Sequence, residues 1–415
     1  MPLNPGRVID DLRELRRLTG DEHGAQRIAW GGTWLNARAL FQHKISGLPV
    51  EHHVDAAGNS WTTLWGESER ALILGSHLDS VPNGGWLDGC LGVFAALEVL
   101  RAIDEEFKGR PPITIRVVDW ADEEGARFGR SLFGSSAFAG TQTIEADRLR
   151  TDGDGIMLDD ALSDCGIDAG RIADSASERA SAAAYLELHI EQGPVLEGLQ
   201  LPLAAVLGTK GVERHAVTFS GQEAHAGSTP MHVRRDALAA AAKLALAIRD
   251  IAAKNPGAVA TMGSVKTYPG IVTAVVGRCE TTLDMRDLDA AVLQSMLIEA
   301  RVESERFAAE ERCTVEWSRI WKIEPIPFDE QLIQLCKDAV FEVTGSVHSL
   351  SSGPLHDAAE VSRAGIPTVM MFVQSLGGLS HNKAEDTRTE HLEIAVNAFS
   401  HLTRKTMAWI AAAGS

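Results

Sequence analysis

The chain has 415 residues, of which 45% are hydrophobic, 23% are charged and 6% are aromatic. Its 39 Lys and Arg residues against 57 Asp and Glu residues give a formal net charge of −18 at pH 7. This acidic balance, without a run of basic residues, argues against a nucleic-acid partner and against binding to an anionic membrane surface. The ordinary apolar content argues against disorder, and the length predicts about two domains.

Cysteine usage and the N-terminus bear on the cellular location. The five cysteines are scattered and form no CxxC pair, which predicts reduced thiols rather than a disulfide framework. No apolar stretch approaches the roughly 20 residues that cross a bilayer, and the N-terminus lacks the layout of a secretory signal. We therefore expect a soluble cytoplasmic protein with no membrane partner.

The first part of the chain alternates predicted strands and helices. Val8, Leu12 and Leu15 share one face of an N-terminal helix, and residues 55–59 separate two extended runs as in a hairpin. After the hairpin come a strand at 71–74, a helix at 91–103 and a strand at 113–118. This alternation is typical of an α/β layer with a mostly parallel sheet, whose functional groups gather at the carboxyl ends of the strands.

The middle of the chain follows a different pattern, which predicts a compact α+β insert. Its elements are strands at 213–220, 258–267, 278–285 and 314–319 and helices at about 233–253 and 290–309. A proline-rich return at 324–328 then leads to a helix, a buried strand at 366–373 and a C-terminal helix. We therefore predict an α/β domain made of residues 1–209 and 323–415, interrupted by a smaller domain at 210–322.

Five short segments near predicted strand ends carry histidines and carboxylates among glycines. They are 75–80, 84–89, 119–125, 186–194 and 377–382. Taken singly, each has an ordinary interpretation: a surface histidine, a solvated Glu-Glu pair or an Asp-Gly turn. Taken together in one α/β domain, they favour a site for a divalent metal such as Zn²⁺ or Mn²⁺, which imidazole and carboxylate groups bind.

The order of these motifs resembles that of a known family. His-x-Asp, Gly-Gly-x-x-Asp-Gly, Glu-Glu-Gly-x-Arg-Phe, His-Ile-Glu-Gln-Gly-Pro and Ser-His resemble the M20-type metallopeptidase superfamily, and within it the hydantoinase/carbamoylase branch. The stretches 123–128 and 189–194 are specific to that branch, whereas peptidase members tend to carry a carboxylate where this chain has His189. The resemblance implies a di-metal catalytic domain interrupted by a smaller domain that mediates homodimerisation and acts as a lid.

The resemblance also implies a set of metal ligands. Asp88 would bridge two divalent ions, His77 and His189 would complete one site, and Glu124 and His381 would complete the other. Zn²⁺ is the favoured ion, with Mn²⁺, Co²⁺ and Ni²⁺ as alternatives, because His and carboxylate ligands accept all four.

Two further carboxylates receive supporting roles. The resemblance implies that Glu123 is the general base. This role is physically reasonable, because a metal-bound carboxylate such as that implied for Glu124 is a poor base. Asp79 would hydrogen-bond the ring nitrogen that His77 does not use for metal. A helix or turn cap is the alternative role for Asp79.

The remaining implied roles concern the substrate. His225 would reach across the dimer and stabilise the oxyanion of the neighbour's tetrahedral intermediate. Arg286 would grip a substrate carboxylate, although an ion pair with Asp284 or Asp287 is the ordinary alternative. Gln192 would add a polar contact to the substrate.

Two departures from the family pattern put the substrate in question. Thr273 stands where the family usually carries an Asn that contacts substrate. The family's Gly-Ala-Gly-His-Asp becomes Gly-Pro-Leu-His-Asp, so His356 remains but Pro354 and Leu355 precede it in the substrate pocket. We therefore expect a substrate with a bulkier or less polar substituent than allantoate.

The sequence thus predicts a hydrolase that cleaves a linear carbamoyl or ureido C–N bond beside a carboxylate. An N-carbamoyl-L-amino acid would yield the amino acid, CO₂ and ammonia. Allantoate or ureidoglycolate hydrolysis is the nearest alternative, and hydrolysis of an N-acyl amino acid or peptide is a more distant one. A catalytically silent ligand-binding relative is disfavoured because Glu123 and all five ligands are present.

Overall fold

The structure is a computed structural model that describes residues 2–142, 144 and 147–413. The chain divides into two compact units. Unit 1 comprises Met1–Leu207, Phe328–Leu350 and Leu355–Ser415, and unit 2 comprises Gly208–Pro327 and Ser351–Pro354.

The first segment of unit 1 carries strands and helices in alternation. In chain order they are α1 (Pro5–Thr19), β1 (Gly20–Asp21), β2 (Gly24–Ala25), α2 (Gly32–Ile45), β3 (Glu51–Val54), β4 (Ser60–Leu64), β5 (Ser68–His77), α3 (Cys90–Phe107), β6 (Ile113–Trp120), α4 (Phe133–Ala139), α5 (Leu158–Asp164), β7 (Ala182–Ile190), α6 (Val195–Leu199) and β8 (Leu203–Thr209). The predicted hairpin is confirmed, since β3 and β4 pair antiparallel and the Asp55 N–H donates to the Asn59 carbonyl at 3.0 Å.

The next two groups of elements complete the chain. Those of unit 2 are β9 (Gly211–Ser220), β10 (Ala224–His225), α7 (Ala237–Ala253), β11 (Val259–Tyr268), β12 (Ala274–Val275), β13 (Arg278–Asp287), α8 (Ala290–Glu310), β14 (Thr314–Ile323) and β15 (Ile326–Pro327). The final ones are α9 (Glu330–Thr344), β16 (Ser349–Ser352), α10 (Asp357–Arg363), β17 (Thr368–Val373) and α11 (Thr389–Ala412).

The large sheet is mixed, which corrects the prediction of a mostly parallel sheet. The order β8-β17-β7-β5-β6-β4-β3 holds four central strands, β17, β7, β5 and β6, that pair parallel. The flanking strands β8, β4 and β3 pair antiparallel. The central strands are buried along most of their length, as expected for strands covered on both faces. Apolar runs made β5, β6 and β17 recognisable in the sequence, whereas β7 was not predicted as a strand.

Helix α3 shows how the sheet is covered. Its residues from Cys90 to Ile103 are all buried, and the helix packs against β5, β6 and β7. Its apolar side chains join one hydrophobic core with those of the central strands. This core holds the carboxyl ends of the parallel strands at one edge of the sheet.

Unit 2 is an antiparallel sheet of order β11-β13-β9-β14, against which α7 and α8 pack. Odd-numbered residues of β9 such as Val217 and Phe219 are buried in a separate core. Helix α7 begins at Ala237 rather than near 233, because the Asp236 side chain accepts hydrogen bonds from the Leu238 and Ala239 N–H groups and ends the preceding turn. None of the helices described is long and apolar enough to cross a membrane.

Candidate active site

The candidate site lies in unit 1, where the central parallel strands end. His77 is the last residue of β5, Glu123 and Glu124 follow β6, and His189 lies near the end of β7. The loop after β17 supplies His381. Three strand ends and the loop after β17 therefore bring together residues that are far apart in sequence, because parallel strands present their carboxyl ends at the same edge.

Asp88 lies at the centre of this cluster, just before α3. Its Oδ1 is 3.1 Å from Nε2 of His189 and 3.9 Å from Nε2 of His77. Its Oδ2 is 3.6 Å from Nε2 of His381. The two oxygens of one carboxylate thus face different histidines.

The ligand-type atoms form two groups that share Asp88. One group is Asp88 with His77 and His189, which are all buried; the other is Asp88 with Glu124 and His381, where Oε2 of Glu124 lies 3.2 Å from Nε2 of His381. Within each group the candidate ligand atoms lie within 4.8 Å of one another. Imidazole nitrogens and carboxylate oxygens so close together suit a divalent metal.

The residues present fit such an ion. Oε1 of Glu124 is buried and has no hydrogen-bond partner in the part of the chain that the structure describes. A buried carboxylate oxygen without a partner is costly unless a cation or a donor meets it. The cluster is therefore a candidate divalent-metal site.

The carboxylates of the site have pKa values shifted in different directions. Burial raises the pKa of Glu123 well above its usual range, although the nearby His77 opposes this shift. Burial acts on Asp88 in the same direction, but the hydrogen bond with His189 and the charges of His189 and His77 lower its pKa below the usual range. The pKa of His381 is raised to about 9, chiefly by its interaction with Glu124. Glu123 is therefore the carboxylate with the greater affinity for a proton, and Asp88 remains ionised.

The backbone and the side chain of Asp79 make separate contacts at the site. The group that meets Nδ1 of His77, at 3.1 Å, is the backbone carbonyl of Asp79, while the nearer carboxylate oxygen is 3.6 Å away. The carboxylate instead accepts the N–H groups of Glu123 at 3.2 Å and Glu124 at 3.1 Å. The backbone of Asp79 thus orients His77, and its side chain orients the Glu123-Glu124 turn. Residue spacing alone cannot indicate which part of Asp79 makes which contact.

Gln192 and His356 also lie at this edge of unit 1. Nε2 of Gln192 donates to Oδ2 of Asp88 at 2.9 Å, so the side chain predicted to contact substrate contacts a metal-ligand residue. His356 is buried with its ring centroid 4.4 Å from that of His189, and burial lowers its pKa well below the usual range. His356 therefore lies next to the ligand groups with a lowered affinity for a proton, and the adjacent Leu355 is half-buried.

The other predicted substrate residues belong to unit 2. His225 is exposed, and its Nδ1 accepts the Gly227 N–H at 3.1 Å. Thr273 is exposed, and its carbonyl accepts the Ala226 N–H at 2.8 Å, so His225 and Thr273 lie at the same two-strand ladder. Arg286 forms the ion pair with Asp284 that was its ordinary alternative, with Nε and Oδ1 2.8 Å apart.

Three polar residues around the ligands were not predicted from the sequence. Glu385 accepts the N–H of Asp88, Ser380 donates to the Asp88 carboxylate, and Glu187 forms a third ligand-type group with His189 and His356. The position of Ser380 next to His381 was the only local signal. Glu187 was hidden in an otherwise apolar strand, and Glu385 resembles a solvated loop residue.

The chain is similar to proteins of known family. The model of peptidase family M20/M25/M40 matches residues 73–405. The N-carbamoyl-L-amino acid amidohydrolase of Geobacillus stearothermophilus is 37% identical over 382 residues, covering 91% of this chain and 92% of that relative. The allantoate amidohydrolase of Bacillus subtilis (strain 168) is 30% identical over 385 residues, covering 92% of each chain.

A solved structure extends the comparison to the fold. The hydantoinase/carbamoylase family amidase from Burkholderia multivorans superposes with a TM-score of 0.87 at 32% identity, covering 97% of each chain. The chain therefore belongs to peptidase family M20/M25/M40. The predicted resemblance to the hydantoinase/carbamoylase branch is confirmed. The prediction that the protein is an amidohydrolase is confirmed as well.

Proposed function

We propose that the protein is a metal-dependent amidohydrolase that cleaves an N-carbamoyl-L-amino acid into the amino acid, CO₂ and ammonia. The observation that carries the proposal is the arrangement at Asp88, whose two carboxylate oxygens face two separate groups of ligand-type residues. The relative from Geobacillus stearothermophilus, named for this reaction, supports the choice of substrate class.

The two groups would hold one divalent ion each, bridged by Asp88. His77 and His189 belong to the first site, and Glu124 and His381 belong to the second. Zn²⁺ is the favoured ion, and Mn²⁺, Co²⁺ and Ni²⁺ are the alternatives. When bound, such ions lower the pKa of water and stabilise negative charge on the reacting carbonyl oxygen.

Glu123 is the proposed general base. Its carboxylate lies beside the ligand groups, with Oε2 3.8 Å from Nε2 of His77, and its raised pKa makes it a better proton acceptor than an exposed glutamate. Glu123 would take a proton from the attacking water and deliver it to the departing nitrogen as the carbamoyl C–N bond breaks. The carbamic acid formed then separates into CO₂ and the second nitrogen product, so one water is consumed.

Five side chains are proposed to contact the substrate. Arg286 would hold the substrate carboxylate, in exchange for part of its contact with Asp284. Gln192 and His356 would contact the ureido group, and Thr273 and Leu355 would shape the space for the amino-acid side chain. The partial exposure of the Arg286 side chain, 29%, is compatible with ligand access.

Oxyanion stabilisation is assigned to His225 of a second copy of the chain. The exposure of His225 in unit 2 supports this assignment, because the ring is available to another molecule. Accordingly, we propose a homodimer in which unit 2 provides the dimer interface and the lid. The scattered cysteines support a proposed cytoplasmic location.

Allantoate is the alternative substrate, because the relative from Bacillus subtilis is named for its hydrolysis. Both compounds carry a ureido group near a carboxylate and would use the same residues. The replacement of the family's usual residues by Thr273 and Leu355 favours the carbamoyl amino acid, whose side chain is less polar.

The test is ammonia release by metal-reconstituted protein on a substrate panel. The panel holds several N-carbamoyl-L-amino acids, N-carbamoyl-β-alanine, allantoate and ureidoglycolate, with an N-acetyl amino acid followed by amine release. Turnover of a carbamoyl amino acid at a higher kcat/KM than allantoate is the expected result. Activity on the acetyl substrate alone would overturn the proposal and discredit the inference drawn from His189.

A further inference from the structure

Glu385 lies beside the metal-ligand groups in the loop between β17 and α11 and carries none of the roles described above. It is 2% exposed. Its Oε1 accepts the N–H groups of Leu87 and Asp88, each at 3.0 Å. One oxygen of a buried side chain thereby holds the backbone that leads into Asp88.

The second oxygen of Glu385 is connected to the Asp88 side chain. Oε2 of Glu385 lies 3.1 Å from Oγ of Ser380, and that hydroxyl donates to Oδ2 of Asp88 at 2.7 Å. Gln192 donates to the same Oδ2 at 2.9 Å. The rotation of the Asp88 carboxylate is therefore limited by hydrogen bonds on the oxygen that faces His381.

The neighbouring backbone is shaped to admit Glu385. A Cβ atom at Gly85 would lie 2.0 Å from Cδ of Glu385 and 2.0 Å from its Oε1. These separations are far below a van der Waals contact, so no larger residue at position 85 is compatible with the observed Glu385 conformation. Glycine at 85 and glutamate at 385 therefore depend on each other.

We infer that Glu385 is a positioning residue of the metal site, which aims the bridging carboxylate of Asp88 through the backbone of residues 87–88 and through Ser380. This inference rests on the proposed role of Asp88 as a bridging ligand. Outer hydrogen-bond partners of metal ligands commonly change metal affinity by about 10–100-fold when they are removed. Glu385 acts by its geometry as a hydrogen-bond acceptor, and its negative charge is not required.

The experiment measures Zn²⁺ affinity of the purified full chain by competition with a chromophoric chelator. Glu385→Ala and Ser380→Ala are each expected to weaken affinity by about tenfold or more. Glu385→Gln is expected to stay within about threefold of wild type, because its amide oxygen still accepts both backbone N–H groups. The Co²⁺ absorption spectrum should change in the two alanine variants and be retained in Glu385→Gln.

Matched variants separate positioning from general structural damage. Gly85→Ala should reproduce the loss caused by Glu385→Ala, whereas Gly153→Ala should leave affinity unchanged, since nothing lies within 4 Å of a Cβ at Gly153. The exposed Glu393→Gln is the control for the amide substitution. The metal-free Ser380→Ala protein should unfold at the same temperature as the metal-free wild type. A purely structural role for Ser380 would instead lower that temperature.

Two results would overturn the inference. One is wild-type Zn²⁺ affinity in both alanine variants, and the other is an equal loss in Glu385→Gln and Glu385→Ala, which would make charge the cause. If Glu385→Ala does not fold, Ser380→Ala decides by its own affinity. Failure of the wild-type chain to bind any of Zn²⁺, Mn²⁺, Co²⁺ and Ni²⁺ would overturn the proposed function as well, whereas unaffected variants of a metal-binding chain would overturn this inference alone.

Discussion

Glu123 and Glu124 are neighbours in the chain, but their carboxylates face different histidines. Oε2 of Glu123 lies 3.8 Å from His77, and Oε2 of Glu124 lies 3.2 Å from His381. The Asp79 carboxylate holds both of their backbone N–H groups, which keeps the two side chains divergent. One glutamate can thus serve as a ligand while the other remains available as a base.

Glu123→Gln should lower kcat by at least about 100-fold, because an amide cannot accept the proton from water. Metal content, measured by elemental analysis, should remain that of the wild type, since Glu123 is not a proposed ligand. The exposed Glu69→Gln is the control and should keep full activity. A Glu123→Gln enzyme with a tenth or more of the wild-type kcat would make the assignment of the base wrong.

Asp88→Asn and His381→Ala should differ in metal stoichiometry. Asp88 belongs to both ligand groups, so its substitution should weaken both sites, whereas His381 belongs to one group and its loss should leave about one ion per chain. Elemental analysis after gel filtration measures the ratio. Two tightly held ions in Asp88→Asn would contradict the bridging role.

Removal of metal should lower the thermal unfolding temperature. An ion that binds only the folded chain stabilises it by about 4 kcal/mol when its free concentration is about 1,000 times its Kd. Differential scanning calorimetry of chelator-treated protein, with and without added Zn²⁺, gives the shift. Equal unfolding temperatures under both conditions would mean that the cluster holds no ion tightly.

His225→Ala should lower kcat at least tenfold while leaving the unfolding temperature unchanged, because the ring is exposed and makes one local hydrogen bond through Nδ1. Mixed dimers of His225→Ala with Glu123→Gln should regain activity, since one of the two active sites would then combine an intact Glu123 with an intact His225. Full activity of the variant in a chain shown to be monomeric would contradict the action across a dimer.

Glu98→Ala should destabilise the fold by about 1.5–3 kcal/mol, because it removes a buried carboxylate that accepts hydrogen bonds from two arginines. Glu98 is fully buried and pairs with Arg7 at 2.6 Å and Arg101 at 3.3 Å. Urea unfolding measures the change. Asp174→Ala, which breaks the exposed pair with Arg171, is the control and should change stability by at most about 1 kcal/mol.

Much of the fold and of the ligand set could be predicted from the sequence. The apolar run of β6 and the turn at 55–59 are local patterns. Hydrophobic burial favours a strand at the first and turn chemistry favours a turn at the second, whatever the rest of the chain does. His77 ends one strand and Glu124 follows another, and local patterning identifies both strands, so their shared edge could be anticipated.

The tertiary structure decided the features that depend on residues far apart in the chain. The antiparallel direction of β8 and the backbone contact of Asp79 to His77 follow from packing that residue spacing does not encode. Ser380 reaches Asp88 across 292 positions of sequence. Such contacts arise when the core brings loops from different strands to one edge, and a polar loop residue acquires a buried partner only there. The sequence by itself therefore determined which residue types surround the site, and the tertiary structure determined which atom of each faces which partner.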